Sequence, residues 1–147
     1  MRISTKGRYG LRFLIDVAQH QHQGAVPLRD ISRRQKISHK YLWNLVTPLK
    51  NDGFIEATRG AEGGYRLLRE AEEISLLDIV NTLEGPLEIA PCLTDSAACA
   101  ETNQCAASEA WTKVQEKTQH ILAEIKLAEI VRRQEEIDLP RNADYVI

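Results

Sequence analysis

Residues 59–64 read Arg-Gly-Ala-Glu-Gly-Gly, between two short apolar runs, Phe54 to Thr58 and Tyr65 to Leu68. Glycines permit positive φ, so the chain can reverse tightly there, and their missing side chains let backbone approach another surface closely. The two runs are therefore expected to pair as a hairpin. What precedes the hairpin narrows the fold further. Pro27 suits a first helical turn, and Leu28 and Ile31 begin a short helix to about Gln35. Ser38 can cap a second helix, with Tyr41, Leu42, Leu45, Val46 and Leu49 as its buried stripe and Gly53 as its stop. Only Lys36-Ile37-Ser38 separates them. Two short helices joined this way make a helix-turn-helix, and a hairpin directly behind the second makes a wing.

The charges agree with that reading. Residues 1–69 carry 13 Lys and Arg against 5 Asp and Glu, a balance of +8; residues 70–147 carry 6 against 16, a balance of −10. The net −2 thus hides a basic half suited to nucleic acid and an acidic half with another task. His39 and Lys40 open the second helix, although cations there oppose the helix dipole by ~0.3–1 kcal/mol each. DNA phosphate nearby would explain them. Arg59, at the base of the wing, can enter a minor groove, whose negative potential favours Arg. Pro48 falls inside the second helix, where a proline costs ~3 kcal/mol unless the chain kinks, so a kink or loosened last turn is expected.

Around this module the pattern is helical. Residues 5–21 form an expected helix capped by Ser4 or Thr5, with Tyr9, Phe13, Leu14, Val17 and Ala18 in register. His20 and His22 fall on different sides of it, which suits a solvated end better than a metal site. Ser75 caps a helix through Leu83, with Asp78 completing a capping box, and Gly85-Pro86 stops it. From Ser108 to about Gln134 a single helix of ~40 Å is expected. Its seam of Trp111, Val114, Thr118, Ile121, Ile125 and Ala128 suits pairing with a second helix. The fold expected is mostly α: a winged helix-turn-helix domain over residues 1–84, a cysteine-bearing loop over 85–107, a long C-terminal dimerisation helix over 108–137, and a tail over 138–147.

Cys92, Cys99 and Cys105 are the only cysteines, spaced C-x6-C-x5-C in that loop. Three thiols cannot all pair, and the spacing is too wide for the C-x2-C halves of a structural zinc site. Thiolates gathered in one loop are what an iron–sulfur cluster needs, although such a cluster usually takes four protein ligands.

The opening MRISTKGRYGLR, the segment ISHKYLWNLVTPLK, the wing TRGAEGGYRL, the helix ISLLDIVNTLEG, the three loop cysteines and the end near LAEIV together resemble the Rrf family. These are bacterial winged-helix regulators of the iron–sulfur cluster regulator and nitric-oxide-sensing repressor type. The resemblance implies a homodimer with crossed long helices and two winged domains on a palindromic double-stranded DNA operator. It places the helix from His39, with Tyr41, Trp43 and Asn44, nearest the bases, Arg59 in the minor groove, and Lys6 and Lys40 on phosphate. Trp43 stands where some members carry a polar base-reading residue and cannot accept a hydrogen bond, so operator preference is expected to differ.

The resemblance also implies Cys92, Cys99 and Cys105 as cluster ligands. Ser108 stands where 2Fe–2S members carry a histidine, and Arg8 where 4Fe–4S members can use an acidic residue of the partner. A 2Fe–2S cluster needs two ligands on each iron, whereas a 4Fe–4S cluster can leave one corner to water or a weak oxygen ligand. Three cysteines therefore favour 4Fe–4S, with 2Fe–2S still open. Ser108, Glu101, Glu109 and His120 are the candidates for a fourth ligand.

The function expected is a DNA-binding transcriptional regulator, a repressor among the options, whose operator affinity follows a labile cluster sensing iron, oxygen or nitric oxide. Two alternatives stay open: a winged-helix repressor with a thiol redox or zinc site, and a cluster-free regulator answering to a small molecule or protein partner. No Ser/His/Asp set, phosphate-binding glycine loop or paired-carboxylate cleft appears at useful spacing, which argues against an enzyme. Free thiols behind a start with no apolar leader point to the cytoplasm, and no apolar run long enough to span a membrane occurs.

Overall fold

The computed structural model describes residues 2–95, 97 and 105–139. Helix α1 (Thr5–His20) is the hub. Ser4 caps it by accepting the Lys6 N–H at 3.1 Å, and Phe13, Leu14 and Val17 are wholly buried on its inner face. Its expected last residue instead starts a 3-10 turn, Gln21–Gln23, which ends at Gly24. α2 (Leu28–Gln35) follows with Pro27 at its N-cap, and α3 (His39–Asn51) with Ser38 at its own. Between them Lys36 takes the left-handed conformation at φ 55°. The Ser32 hydroxyl steadies that turn by donating to the Ile37 carbonyl at 2.6 Å.

Helix α3 runs through Pro48 for a further turn instead of leaving the helix there. Its end is closed by a Schellman motif: the Phe54 N–H donates to the Leu49 carbonyl at 2.9 Å and the Gly53 N–H to that of Lys50 at 3.1 Å, with Gly53 at φ 73°. Leu49 and Phe54, both buried, supply the hydrophobic contact that goes with it. The last turn expected to loosen is tied down by the residues after it. β1 (Ile55–Thr58) and β2 (Gly64–Leu67) then pair antiparallel, Ile55 opposite Leu67 and Thr58 opposite Gly64. Val26 adds a rung on the far edge of β2 through two bonds with Tyr65, at 2.8 and 2.9 Å. That rung requires glycine at 64, because any Cβ there would collide with the Val26 carbonyl.

Helix α4 (Leu76–Glu84) carries the expected capping box between Ser75 and Asp78. It crosses α1 at Gly7 and Gly10, where a Cβ would run into Glu84 and Leu83 respectively. One Glu84 carboxylate oxygen accepts the Ser4 N–H, the Ser4 hydroxyl and the Gly7 N–H, at 3.0, 2.7 and 2.9 Å. Free N–H groups at a helix start need acceptors, and a carboxylate there also suits the dipole. A 3-10 turn, Pro91–Leu93, follows in the loop after α4.

The single helix expected from Ser108 to Gln134 is in fact two, α5 (Ala106–Glu124) and α6 (Leu127–Asp138). Ile125 and Lys126 are extended between them, at ψ 115° and 147°. The cause is tertiary. The Leu76 N–H donates to the Ile125 carbonyl and the Leu127 N–H to the Ile74 carbonyl, both at 2.9 Å, so Lys126 forms a bridge with Ser75. The break also turns Leu127 and Val131 into the core, where α6 packs on α1. Burying two such side chains stabilises by about 1.5–3 kcal/mol each.

Candidate functional site

Helix α3 is two-faced. Leu42, Leu45, Val46 and Leu49 are buried, while His39, Lys40, Trp43, Asn44, Thr47 and Lys50 are exposed. Of the residues expected to read DNA, His39, Lys40, Trp43 and Asn44 therefore share one open face. Tyr41 does not share it in the same way: half-buried, it meets the Tyr9 ring edge-on at 5.5 Å and is held by α1. Trp43 is 52% exposed, with the His39 ring edge-on at 6.5 Å. Arg59 faces α3 from the wing, across a cleft of about 460 Å³ lined by Trp43, Thr47, Lys50, Thr58 and Arg59 among others. Lys6 lies apart, half-buried in the first turn of α1. Thr47 and Lys50 were not singled out from the sequence, although the 39-43-47-50 spacing marks one helix face.

What fixes α3 in place lies behind it. Asp16, wholly buried on α1, takes a two-point bond from Arg34 of α2, at 2.6 Å from Nη2 and 3.0 Å from Nε. Gln35 Nε2 adds a third donor at 2.8 Å. The bond to Asp16 raises the Arg34 guanidinium above its ordinary value, against an opposing effect of burial. Arg12 reaches from α1 to the Gln35 carbonyl at 2.6 Å and so caps the end of α2. α2, and through the Lys36 turn α3, is thereby oriented by charge-assisted bonds as well as packing.

The loop cysteines occupy two distinct settings. Cys92 sits in the 3-10 turn Pro91–Leu93, and Cys105 is the N-cap residue of α5; both are half-buried. Cys99 and Glu101 lie outside the described residues. The turn bearing Cys92 packs on α5, and the loop is strapped to its neighbours on both sides. The Leu87 N–H donates to Asn81 of α4 at 3.3 Å and the Ile89 N–H to Gln115 of α5 at 3.1 Å. Thiolates are the donors an iron–sulfur cluster takes, and Cys105 stands at the positive end of α5, which suits a bound group of net negative charge; among the described residues no three candidate ligands stand together.

Of the fourth-ligand candidates, Ser108 and Glu109 lie one turn from Cys105, Ser108 buried and Glu109 exposed. His120 is 15 residues further along α5, about 22 Å at 1.5 Å per residue, and its Nε2 pairs with Glu124 at 3.1 Å. It cannot reach Cys105 within one chain. Arg8 is exposed on α1 and donates to the Thr5 hydroxyl at 3.3 Å.

Of the expected seam, Trp111, Val114 and Ile121 stand exposed on α5, at 48, 44 and 57%. Thr118 lies half-buried between them. Ile125 and Ala128 leave the seam, since they fall at the break and on α6. Among the described residues no helix is long and apolar enough to cross a membrane.

Comparison with known proteins assigns this arrangement. Residues 3–133 match the model of the Rrf2 family, described as an iron-dependent transcriptional regulator. The HTH-type transcriptional regulator IscR of Xenorhabdus nematophila is 34% identical over 144 residues, 98% of this chain and 87% of that one. Among solved structures, T. potens IscR superposes with a TM-score of 0.75 at 34% identity, covering 95% of this chain and 92% of that one. CymR, the global cysteine regulator of B. subtilis, gives 0.73 at 32%, covering 90% and 98%. The chain belongs to the Rrf2 family and is a DNA-binding transcriptional regulator with a winged-helix fold, not an enzyme.

Proposed function

We propose that the chain acts as a homodimer in the cytoplasm and that its operator affinity follows the state of an iron–sulfur cluster held by Cys92, Cys99 and Cys105. The observation that carries the reading is the position of the loop. It links α4 of the winged domain to α5, it ends on Cys105 at the start of α5, and α5 bears the exposed seam of Trp111, Val114 and Ile121. A bound cluster supplies iron that reacts with oxygen or nitric oxide and is lost when iron is scarce. The protein's own part is mechanical. With the thiols engaged, the turn of Cys92 would be held to the first turn of α5; with them released, the described part of the loop keeps the Leu87 and Ile89 bonds and the packing of the Cys92 turn on α5. α5 would then shift against the winged domain, changing the separation of the two recognition helices, a two-state switch.

Three thiols leave one iron of a 4Fe–4S cluster to a water or an oxygen ligand such as Glu109, and this type is favoured. On the DNA side, His39, Trp43 and Asn44 face the major groove, with Tyr41 beside them against Tyr9, Arg59 faces the minor groove, and Lys6 and Lys40 meet phosphate.

A second reading rests on the likeness to CymR, of which the S. aureus protein has also been solved in an oxidized form, with a TM-score of 0.70 at 37% identity over 89% of this chain. There the cysteines would be a thiol redox switch. Iron and sulfide analysis of anaerobically purified protein separates the two. Iron with equal sulfide, lost on changing any of the three cysteines to alanine together with a change in operator affinity, supports the cluster. Absence of both metal and sulfide, with affinity following a thiol oxidant, overturns it in favour of the thiol switch.

A further inference from the structure

Trp43 is an unexpected residue for the middle of a DNA-reading face. It is the one large apolar side chain among His39, Lys40, Asn44, Thr47 and Lys50, and it is 52% exposed. A single exposed apolar residue needs no explanation on an ordinary surface. This surface is not ordinary. Trp43, Lys50 and Arg59 line the same cleft between α3 and the wing, and Lys40 lies one helical turn before Trp43. Cations on both sides of that cleft suit a sugar-phosphate strand. Bound there, the strand would carry its base edges past the exposed face of α3, where Trp43 stands between the two sets of cations.

The indole has one donor and no acceptor. It cannot accept from the amino groups of adenine or cytosine, the contact that a Glu, Asn or Gln at this position would make. It offers instead a broad apolar face that gains by being removed from water. In the major groove only one base presents an apolar group, the C5-methyl of thymine. The His39 ring set edge-on at 6.5 Å limits the directions the indole can take, so its face is partly preorganised for one position.

We propose that Trp43 is a specificity-determining residue that reads a thymine methyl group, once in each half of the operator. The inference rests on the DNA-reading role proposed for α3. Burying one methyl is worth about fourfold in affinity, hence about fifteenfold across two half-sites.

The test uses the full chain and a duplex selected by it from a random pool. Each thymine is replaced in turn by deoxyuridine, which lacks only the methyl and keeps every hydrogen-bonding group. One thymine per half-site should lose about fourfold when so replaced, and Trp43→Gln should abolish that loss while shifting the preferred base towards adenine. Trp43→Phe, which keeps an apolar ring, should retain the preference for thymine over deoxyuridine. Because position 43 is exposed, both variants should keep the wild-type circular dichroism and melting temperature. A selected duplex bound equally well with deoxyuridine at every position overturns the role of Trp43 and leaves DNA reading by α3 intact; failure to select any duplex overturns both. Loss on substituting guanine by 7-deazaguanine that disappears in Trp43→Phe, with no dependence on the thymine methyl, would show the indole N–H donating to a purine and also sink the proposal.

Discussion

Trp43 on α3 and Trp111 on α5 are exposed to nearly the same degree, 52 and 48%, yet they sit in opposite settings. Trp43 stands among Lys40, Lys50 and Arg59 in the half of the chain that carries +8. Trp111 stands with Val114 and Ile121 in the half that carries −10. The first setting selects a polyanion, because any other occupant would strip water from the cations without replacing it. The second selects another apolar surface, and its steps of three and seven residues along α5 suit a second helix. Exposure alone says that an aromatic residue awaits a partner; the charges around it say of which kind.

That contrast breaks most sharply at Ile121. Ile121→Asp places a carboxylate in the proposed helix pair, where burying an unpaired charge costs several kcal/mol, enough to weaken association at least about a thousandfold. Light scattering should fall from twice the chain mass of 16.6 kDa to once. The melting curve of the monomer should remain cooperative, since Ile121 is 57% exposed within one chain. A variant that stays dimeric would show that the seam on α5 is not the interface.

The two surfaces should also differ in how they respond to salt. Neutralising a phosphate releases counterions, so operator affinity should fall steeply as ionic strength rises, whereas an apolar helix pair should hardly respond. Lys40→Ala should weaken operator binding about tenfold and lower the slope of log affinity against log salt by about one, whereas Arg59→Ala should weaken it about tenfold and relax the preference at the minor-groove position, both leaving dimer mass unchanged. Titrations at several salt concentrations check this. An unchanged slope in Lys40→Ala would place that cation off the phosphate backbone.

How far these settings could be read from the sequence depended on whether the signal was local. The helices up to Glu84 were legible because apolar residues recur at three and four and because Ser4, Ser38 and Ser75 cap them with side chains a few positions away. The wing was legible because its glycines answer a local demand. The break after Glu124 was not. Ile125 and Lys126 are ordinary helix residues with no glycine or proline beside them, and it is the backbone of Ile74 and Leu76, some fifty residues earlier, with the Ala71 carbonyl taking the Ala128 N–H, that makes the extended form favourable. The opening segment was legible as a resemblance but not as physics: Gly7 and Gly10 exist for the close approach of α4, and Ser4 for Glu84. Tyr41 shows the same limit, since its place against Tyr9 depends on where α1 crosses. In the cysteine loop the residue types were plain, but which oxygen lies near Cys105 depended on the start of α5. That start leaves Ser108 and Glu109 within a turn and carries His120 out of range.

Asp78 sits at the seam between the two regions, because its partner Ser75 also forms the bridge to Lys126. Burial pushes the Asp78 carboxyl up, but the Ser75 hydroxyl and N–H bonds, with Arg69 and Lys126 nearby, outweigh it and leave the group below its ordinary value. A carboxyl depressed in the folded state adds stability that is present above its unfolded value, about 3.9, and is lost as the pH falls through the folded one. Asp78→Asn should therefore cost about 1 kcal/mol at neutral pH, as the loss of a cap does, and progressively less below about pH 4. Thermal melts of both proteins from pH 7 to pH 2.5 should converge at the acid end. Hydrogen exchange should show the loss first at the Leu76 and Leu127 amides, which bind across the seam. Curves that stay parallel down to the acid end would mean that Asp78 serves the capping box by shape and not by charge. The pH dependence of the join between the DNA-reading half and the α5–α6 arm would then come from elsewhere, and its stability would rest on the backbone pairing of Ile74 and Leu76 with Leu127 and Ile125 and on the burial of Leu127 and Val131.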